Sequence, residues 1–254
     1  MSSKLWTFGD SFTAGAPLTY NKELAKEYGV NSETIWPALL ANKLNLELHN
    51  YGKDSKGNDY IINCLCKNLY KIDKGDFVVI GLSSPFRLDV YDWINDKEVG
   101  ITPGVIMSLV EKRQLNNPNL FESKSVLGGD AEGALLREAT AKYFTLIRSK
   151  GERFHRQRDT KTVIGIQKEL YRRDINSIIW DWSVDNSNNK WGIEYLFPDS
   201  SNKKGIIQPR FYSFRKDYDA IPKDGHWTAK GHKQFYDKIY KEISNNNNHW
   251  EQIY

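Results

Sequence analysis

The segment from Leu5 to Gly15 is Leu-Trp-Thr-Phe-Gly-Asp-Ser-Phe-Thr-Ala-Gly. Its apolar first half is typical of a buried strand, and the Gly-Asp-Ser that follows predicts a tight turn. A serine at such a turn is either the N-cap of the next helix or a nucleophile. A nucleophilic role needs a nearby base, because a serine hydroxyl attacks only when a base activates it. The candidate base is His226, which lies far along the chain in Asp-Gly-His-Trp (residues 224–227).

Strands alternate with helices along most of the remaining sequence. The predicted strands are 4–8, 46–50, 76–82 and 177–182, and the predicted helices are 35–44, 59–69, 131–148, 162–173 and 228–244. Near-continuous apolar strands that alternate with helices indicate a parallel sheet covered on both faces. We therefore predict an α/β fold, a three-layer α/β/α sandwich of the flavodoxin-like kind. A chain of this length can form it as one domain, residues 1–254.

Two stretches do not follow this alternation. Residues 91–129 and 185–222 are rich in Gly, Pro, Asn and aromatic side chains and have little periodicity. Long irregular segments in a domain are commonly lids or binding loops, so we predict two insertions here. The tail at 245–254 opens with asparagines, and we expect it to be loosely packed.

The composition is that of a globular protein without a strong charge. The 254 residues include 36 Lys and Arg against 32 Asp and Glu, a formal net charge of +4. This balance weakly favours anionic partners but does not by itself indicate nucleic acid. Because acidic residues are mixed into the basic stretch 150–173, we interpret it as a solvated helix face and expect no nucleic-acid partner. No apolar run approaches the roughly 20 residues of a membrane span, and the first residues lack a signal-peptide pattern. The expectation is a protein that is cytoplasmic, or soluble without a signal peptide, and that has no membrane partner.

The two cysteines, Cys64 and Cys66, are expected to be free thiols, since neighbours two positions apart rarely pair. No group of histidines and cysteines has the spacing of a metal site, so we expect neither a metal nor another cofactor. The sequence leaves the oligomeric state open.

Polar residues follow the predicted strands at corresponding points. Ser11 follows the first strand, Gly57-Asn58 the second and Ser83-Ser84 the third, while Asp224 and His226 precede the last helix. Ligands bind beyond the carboxyl ends of the strands in an open α/β sheet. We therefore expect these residues to converge at one edge of the sheet.

Three motifs, in the same order and over nearly the whole chain, resemble those of the SGNH (GDSL-type) hydrolases. They are Gly-Asp-Ser-Phe-Thr-Ala-Gly (9–15), Asn-Tyr-Gly with Ser-Lys-Gly-Asn (50–52 and 55–58), and Asp-Gly-His-Trp-Thr-Ala-Lys-Gly-His (224–232). The resemblance implies that Ser11 is the nucleophile, His226 the base and Asp224 the acid that orients His226. It also implies that the backbone amides of Ser11 and Gly57 stabilise an oxyanion.

Two positions depart from the family pattern. The family usually has an asparagine after the third strand as a further oxyanion donor, and this sequence has Ser83 there. The acid commonly stands three residues before the histidine, where this chain has Lys223. Asp224 is the best candidate for the acid, with Asp219 and Asp217 as alternatives.

Three further residues near these motifs have expected structural roles. We expect Arg87 to brace the site by pairing with Asp10 or Asp89 rather than to bind a substrate carboxylate. Asn58 is expected to cap the helix that follows it, and His232 to pack inside the fold.

The resemblance implies a serine esterase that acts on a small acyl ester, such as an O-acetyl group on a carbohydrate. Two alternatives stay open. The protein could be a non-catalytic glycan-binding or structural member of the family, because the oxyanion asparagine is replaced by Ser83. It could also be an O-acyltransferase that passes the acyl group to a sugar hydroxyl instead of water.

Overall fold

The computed structural model describes residues 3–83, 87–92, 97–101, 152–181, 218–222 and 224–250. Within these ranges six strands and six helices follow one another, with a single 3-10 turn at Leu69–Lys71. In chain order they are β1 (Lys4–Gly9), α1 (Ser11–Ala14), α2 (Lys22–Glu27), α3 (Trp36–Leu44), β2 (Glu47–Gly52), α4 (Asn58–Asn68), β3 (Phe77–Leu82), β4 (Leu88–Asp92), β5 (Lys97–Ile101), α5 (Glu152–Arg172), β6 (Asn176–Asp181) and α6 (Ala229–Trp250).

The central sheet has four parallel strands in the order β2-β1-β3-β6. The four predicted strands are confirmed, with ends that differ by one or two residues. The largest difference is at β2, which continues to Gly52 because its last residues pair with the end of β1, Phe8 with Tyr51 and Gly9 with Gly52. This pairing brings the loop after β2 beside the loop that carries Ser11.

Helices cover both faces of this sheet. Leu5 of β1 lies in a core with side chains of α3 and α6, whereas Trp6 and Phe8 lie in a second core with side chains of α4 and α5. The first core includes Trp36, Leu40, Val79, Ile178, Phe235 and Ile239, and the second includes Ile61, Leu65, Ile80 and Leu170. Each apolar strand therefore serves two cores, and the predicted α/β/α class is confirmed.

Three elements differ from the prediction. β4 and β5 form an antiparallel hairpin, part of which lies in the stretch predicted to be irregular. α5 begins at Glu152, ten residues earlier than predicted. The sequence did not indicate this earlier start because the first residues of the helix are mostly charged and carry no apolar periodicity. α6 continues to Trp250 through the asparagines that were expected to be loosely packed, since a helix once formed adds one hydrogen bond per residue.

Other predictions concern residues outside the described ranges. The predicted helix at 131–148 lies there, as does most of each predicted insertion (102–129 and 185–217). The single-domain boundary stays a prediction.

His232 is fully buried in the first core, as expected of a structural residue. Its Nδ1 lies 3.4 Å from the Trp36 amide nitrogen, and its ring meets Trp227 edge-on with centroids 5.4 Å apart. Burial lowers the pKa of His232 to about 3, and the nearby His226 acts in the same direction as a smaller cause. His232 is therefore neutral in the folded protein at any pH near neutrality.

This burial predicts a pH-dependent stability. Between the folded value and the ordinary value near 6.5, the unfolded chain binds a proton that the folded chain does not, so stability falls as the pH drops below about 6.5. From pH 7 to pH 5 we expect His232 to remove about 2 kcal/mol of unfolding free energy. Urea unfolding of His232→Gln should show a pH dependence that is weaker than that of the wild type by this amount. Parallel pH profiles for wild type and His232→Gln would contradict the prediction.

Candidate active site

Ser11 is the first residue of α1, directly after the turn that ends β1. Asp10 is the N-cap of this helix, and its side chain accepts a hydrogen bond from the Phe12 amide at 3.1 Å. The turn is tight enough that a Cβ on Gly9 would lie only 2.0 Å from Thr13 Oγ1. Since Asp10 caps the helix, capping does not explain a serine at position 11.

The Ser11 hydroxyl contacts the imidazole of His226. Ser11 Oγ lies 3.0 Å from His226 Nε2, and His226 Nδ1 lies 2.9 Å from Asp224 Oδ2. The predicted serine, histidine and aspartate therefore form one chain of hydrogen bonds, although Ser11 is 215 positions from His226. Ser11 is 3% exposed, and His226 and Asp224 are each about a fifth exposed.

The turn from Ile221 to Trp227 brings Asp224 and His226 face to face although they are only two positions apart. Gly225 between them has φ of +79°, a left-handed conformation that favours glycine. The turn is closed by hydrogen bonds from the Gly225 amide to the Ile221 carbonyl (2.9 Å) and from the Ile221 amide to the His226 carbonyl (2.8 Å).

The one alternative for the acid that the structure describes, Asp219, has a different partner. Asp219 accepts a hydrogen bond from the Thr228 hydroxyl at 2.6 Å. Asp217 and Lys223 lie outside the described residues. Asp224 is thus the aspartate that meets the imidazole.

Aromatic packing fixes the imidazole from the other side. The Phe12 ring lies 5.1 Å from that of His226 and 4.8 Å from that of Trp227, measured between centroids. Trp227 is 1% exposed and packs on Phe235 of α6. The segment that carries His226 is therefore anchored in the core on the α3–α6 side of the sheet.

Two of the three predicted oxyanion donors have other acceptors in this structure. The Gly57 amide donates to both carboxylate oxygens of Asp89, at 2.9 and 3.1 Å. The Ser83 hydroxyl is fully buried and donates to Asp10 Oδ2 at 2.9 Å. The Ser11 amide, in contrast, has no acceptor within the ranges that the structure describes. The geometry thus supports the Ser11 amide, and it ties Gly57 and Ser83 to carboxylates instead.

Asp89 takes the capping role that was expected of Asn58. Its carboxylate accepts the Gly57 amide and also the Tyr60 amide at 2.8 Å, at the start of α4. Burial raises the pKa of Asp89, although these two backbone hydrogen bonds act in the opposite direction.

Asn58 instead ties the end of β3 to α5. Its Oδ1 accepts the Ser83 amide at 2.7 Å, and its Nδ2 donates to the Ser83 carbonyl (3.1 Å) and to Asp159 (2.7 Å). The expected brace is present: Arg87 Nη1 lies 3.1 Å from Asp10 Oδ2 and 3.3 Å from the Lys56 carbonyl.

The structure adds two residues that the motifs did not indicate. The Tyr20 hydroxyl lies 2.6 Å from Asp224 Oδ1 and 3.0 Å from His226 Nδ1. Asp54, in the loop after β2, lies within electrostatic range of His226 and Arg87, and burial raises its pKa. Both residues are in loops without periodicity, so no local spacing could have singled them out.

The described ranges hold neither a metal site nor a membrane-spanning helix. Within those ranges, no group of three or more His, Cys, Asp or Glu side chains is arranged to hold a metal ion. No helix there combines the length and the apolar character needed to cross a bilayer.

The fold and the contacts together define an α/β protein with a hydrogen-bonded serine, histidine and aspartate at one edge of its parallel sheet. No family model matches the chain, and no curated protein is similar to it in sequence.

Solved structures with a similar fold include lipolytic proteins. One is a member of the lipolytic protein G-D-S-L family from Veillonella parvula, with 12% identity over 94% of this chain and 97% of that chain and a TM-score of 0.35. Another is an extracellular lipase from Streptomyces rimosus, with 12% identity over 95% and 99% of the two chains and a TM-score of 0.39. A phospholipase A1 from Streptomyces albidoflavus has 13% identity over 75% and 64%, with a TM-score of 0.34.

Proposed function

We propose that the protein is a serine esterase whose nucleophile is Ser11. The observation that supports this proposal is the chain of contacts from Ser11 Oγ through both ring nitrogens of His226 to the Asp224 carboxylate, at 3.0 and 2.9 Å. Acyl transfer by serine needs a hydroxyl, an imidazole that accepts its proton and a carboxylate that fixes the imidazole tautomer. These three groups meet that need.

In the first half of the reaction, Ser11 Oγ attacks the ester carbonyl carbon while its proton passes to His226 Nε2. The carbonyl oxygen becomes an oxyanion, and the Ser11 amide is the donor best placed to stabilise it. The intermediate then collapses, and the C–O bond to the leaving alcohol breaks. His226 returns the proton to that alcohol, and an acyl group remains on Ser11.

In the second half, water takes the place of the alcohol. His226 Nε2 accepts a proton from the water as its oxygen attacks the acyl carbon. Collapse of this second intermediate releases the carboxylic acid, and the proton returns to Ser11 Oγ. Throughout, the Asp224 carboxylate holds Nδ1–H of His226, which leaves Nε2 free to accept protons.

The Gly57 amide and the Ser83 hydroxyl can stabilise the oxyanion only after they leave the carboxylates that they now bind. The Gly57 amide could serve once the Asp89 carboxylate releases it, and the Ser83 hydroxyl once it turns from Asp10. Loss of one such donor typically costs about 10²–10³ in rate, so a site with the Ser11 amide alone would be a slow esterase.

The proposed substrate is a small acyl ester, with an O-acetylated carbohydrate as the candidate class. This choice follows from the family resemblance of the motifs. An O-acyltransferase would use the same first half-reaction and a sugar hydroxyl in place of water. A non-catalytic, glycan-binding or structural protein would show neither reaction.

Hydrolysis of p-nitrophenyl acetate by wild type and by Ser11→Ala tests the proposal. We expect activity in the wild type and only background release of p-nitrophenol in Ser11→Ala. Ser244→Ala is the matched control, because its exposed hydroxyl donates to the Tyr240 carbonyl within α6, and it should keep wild-type activity. Equal background rates in wild type and Ser11→Ala would overturn the esterase proposal for this ester. Acyl product on an added sugar acceptor, formed at the expense of free acetate, would indicate the transferase instead.

A further inference from the structure

We propose that Tyr20 is a positioning residue that holds the Asp224 carboxylate against His226. The catalytic consequence of this proposal rests on the proposed esterase function. The structural part stands on the hydrogen bonds of the Tyr20 hydroxyl alone.

The hydroxyl contacts both members of the pair. It lies 2.6 Å from Asp224 Oδ1 and 3.0 Å from His226 Nδ1, while Nδ1 lies 2.9 Å from the other carboxylate oxygen, Oδ2. In the productive tautomer Nδ1 carries its proton and donates to Asp224, so the Tyr20 hydroxyl donates to Oδ1. Each oxygen of the carboxylate then has a separate donor, which fixes the rotation of the carboxylate about its Cβ–Cγ bond.

This second donor matters because Asp224 and His226 lie in one tight turn. A hydrogen bond between side chains two positions apart depends on the backbone of that turn, here on the left-handed Gly225. The turn itself does not orient the second carboxylate oxygen. Tyr20 supplies a contact from a distant part of the chain, 204 positions before Asp224.

The loop that carries Tyr20 is itself well ordered by hydrogen bonds. The amides of Tyr20 and Asn21 both donate to the Pro17 carbonyl, at 3.1 and 2.8 Å. The Asn21 side chain then caps α2 by accepting the Leu24 amide at 3.0 Å. The hydroxyl is therefore presented from a closed turn joined directly to a helix.

Tyr20 also remains a donor over the useful pH range. Burial, followed by the hydrogen bond to Asp224, raises the pKa of the Tyr20 hydroxyl above its ordinary value. The negative charges of Asp224 and Asp54 act in the same direction. The Tyr20 ring lies 5.8 Å from the His226 ring, between centroids, on the solvent side of the pair, and Tyr20 is half exposed.

Tyr20→Phe tests the proposal, because it removes only the hydroxyl. We expect kcat/KM for p-nitrophenyl acetate to fall roughly tenfold, the loss typical of one hydrogen bond to a charged group, with KM little changed. The acid limb of the pH–rate profile should move to higher pH, since a carboxylate that has lost a donor attracts the proton of the imidazolium more strongly. Tyr70→Phe, which alters an exposed tyrosine in the 3-10 turn after α4, should leave rate and profile unchanged.

A second measurement does not depend on catalysis. In an NMR titration of the His226 ring, the midpoint pH should be higher in Tyr20→Phe than in the wild type and unchanged in Tyr70→Phe. If the wild type hydrolyses no ester, the proposed function fails while this titration still decides on Tyr20. An unchanged His226 midpoint in Tyr20→Phe, with the protein folded, would overturn the positioning role.

Discussion

Alanine at His226 is expected to lower kcat/KM for ester hydrolysis by about 10⁴ or more, and the same loss is expected for Ser11→Ala. The reason is the direct contact of His226 Nε2 with Ser11 Oγ at 3.0 Å. Without the imidazole the serine keeps its proton, and without the serine the imidazole has no proton to accept. The double variant Ser11→Ala/His226→Ala should therefore be no slower than either single variant.

Single-turnover and steady-state assays of the three variants provide the measurement. His49→Ala is the histidine control, since that ring stacks on Trp6 within the sheet and takes no part in the site. Losses that multiply in the double variant would show that the two residues act independently, which contradicts the proposed proton transfer.

Removal of the Asp10 side chain should have the largest effect on stability. Asp10 is 1% exposed and accepts hydrogen bonds from the Phe12 amide (3.1 Å), the Ser83 hydroxyl (2.9 Å) and Arg87 (3.1 Å). Asp10→Ala leaves all three donors without this acceptor and removes the fully buried carboxylate with which Arg87 pairs. Breaking a buried ion pair in this way costs about 3–5 kcal/mol of unfolding free energy.

Urea unfolding, followed by tryptophan fluorescence, measures this cost. Asp10→Asn should lose less than Asp10→Ala, because its amide oxygen can still accept from the Phe12 amide while its NH2 group donates to the Ser83 hydroxyl. Asp237→Ala is the matched control: its carboxylate pairs with Lys233 on the exposed face of α6, and a pair of this kind contributes about 0.5 kcal/mol. A cost for Asp10→Ala as small as that of the control would contradict the central role of Asp10.

Most of the fold could be predicted because apolar runs of strand length are informative. The run at 76–82 and the segment after Ile175 are apolar on both faces, as expected of strands covered by helices on both sides. The start of α5 could not be predicted, since its first ten residues are charged or polar apart from Phe154. The β4–β5 hairpin was missed because its strands are short and polar, with Asp89, Asp92, Lys97 and Glu98 among ten residues.

The residues of the site likewise include some that the sequence indicates and some that only the folded structure reveals. Ser11, Asp224 and His226 could be predicted because two short motifs mark them, one after β1 and one before α6, and the structure brings all three together. Tyr20 and Asp89 could not, since each acts on a partner brought close only by folding, 204 positions away for Tyr20 and 32 for Asp89. The acceptors of Gly57 and Ser83 were missed for the same reason.

The two faces of the sheet are completed at different times during synthesis. Among the residues that the structure describes, the core on the α4–α5 side is made by residues up to 179, which all precede the last helix. The other core also needs the C-terminal residues Tyr218, Trp227 and the apolar side of α6. Until this C-terminal segment has left the ribosome, it cannot cover Leu5, Val79 and Ile178. A nascent chain halted before His226 should therefore bind an apolar dye such as ANS, and its Ser11 should lack the base. When the chain is completed, loss of dye binding and gain of esterase activity should appear together.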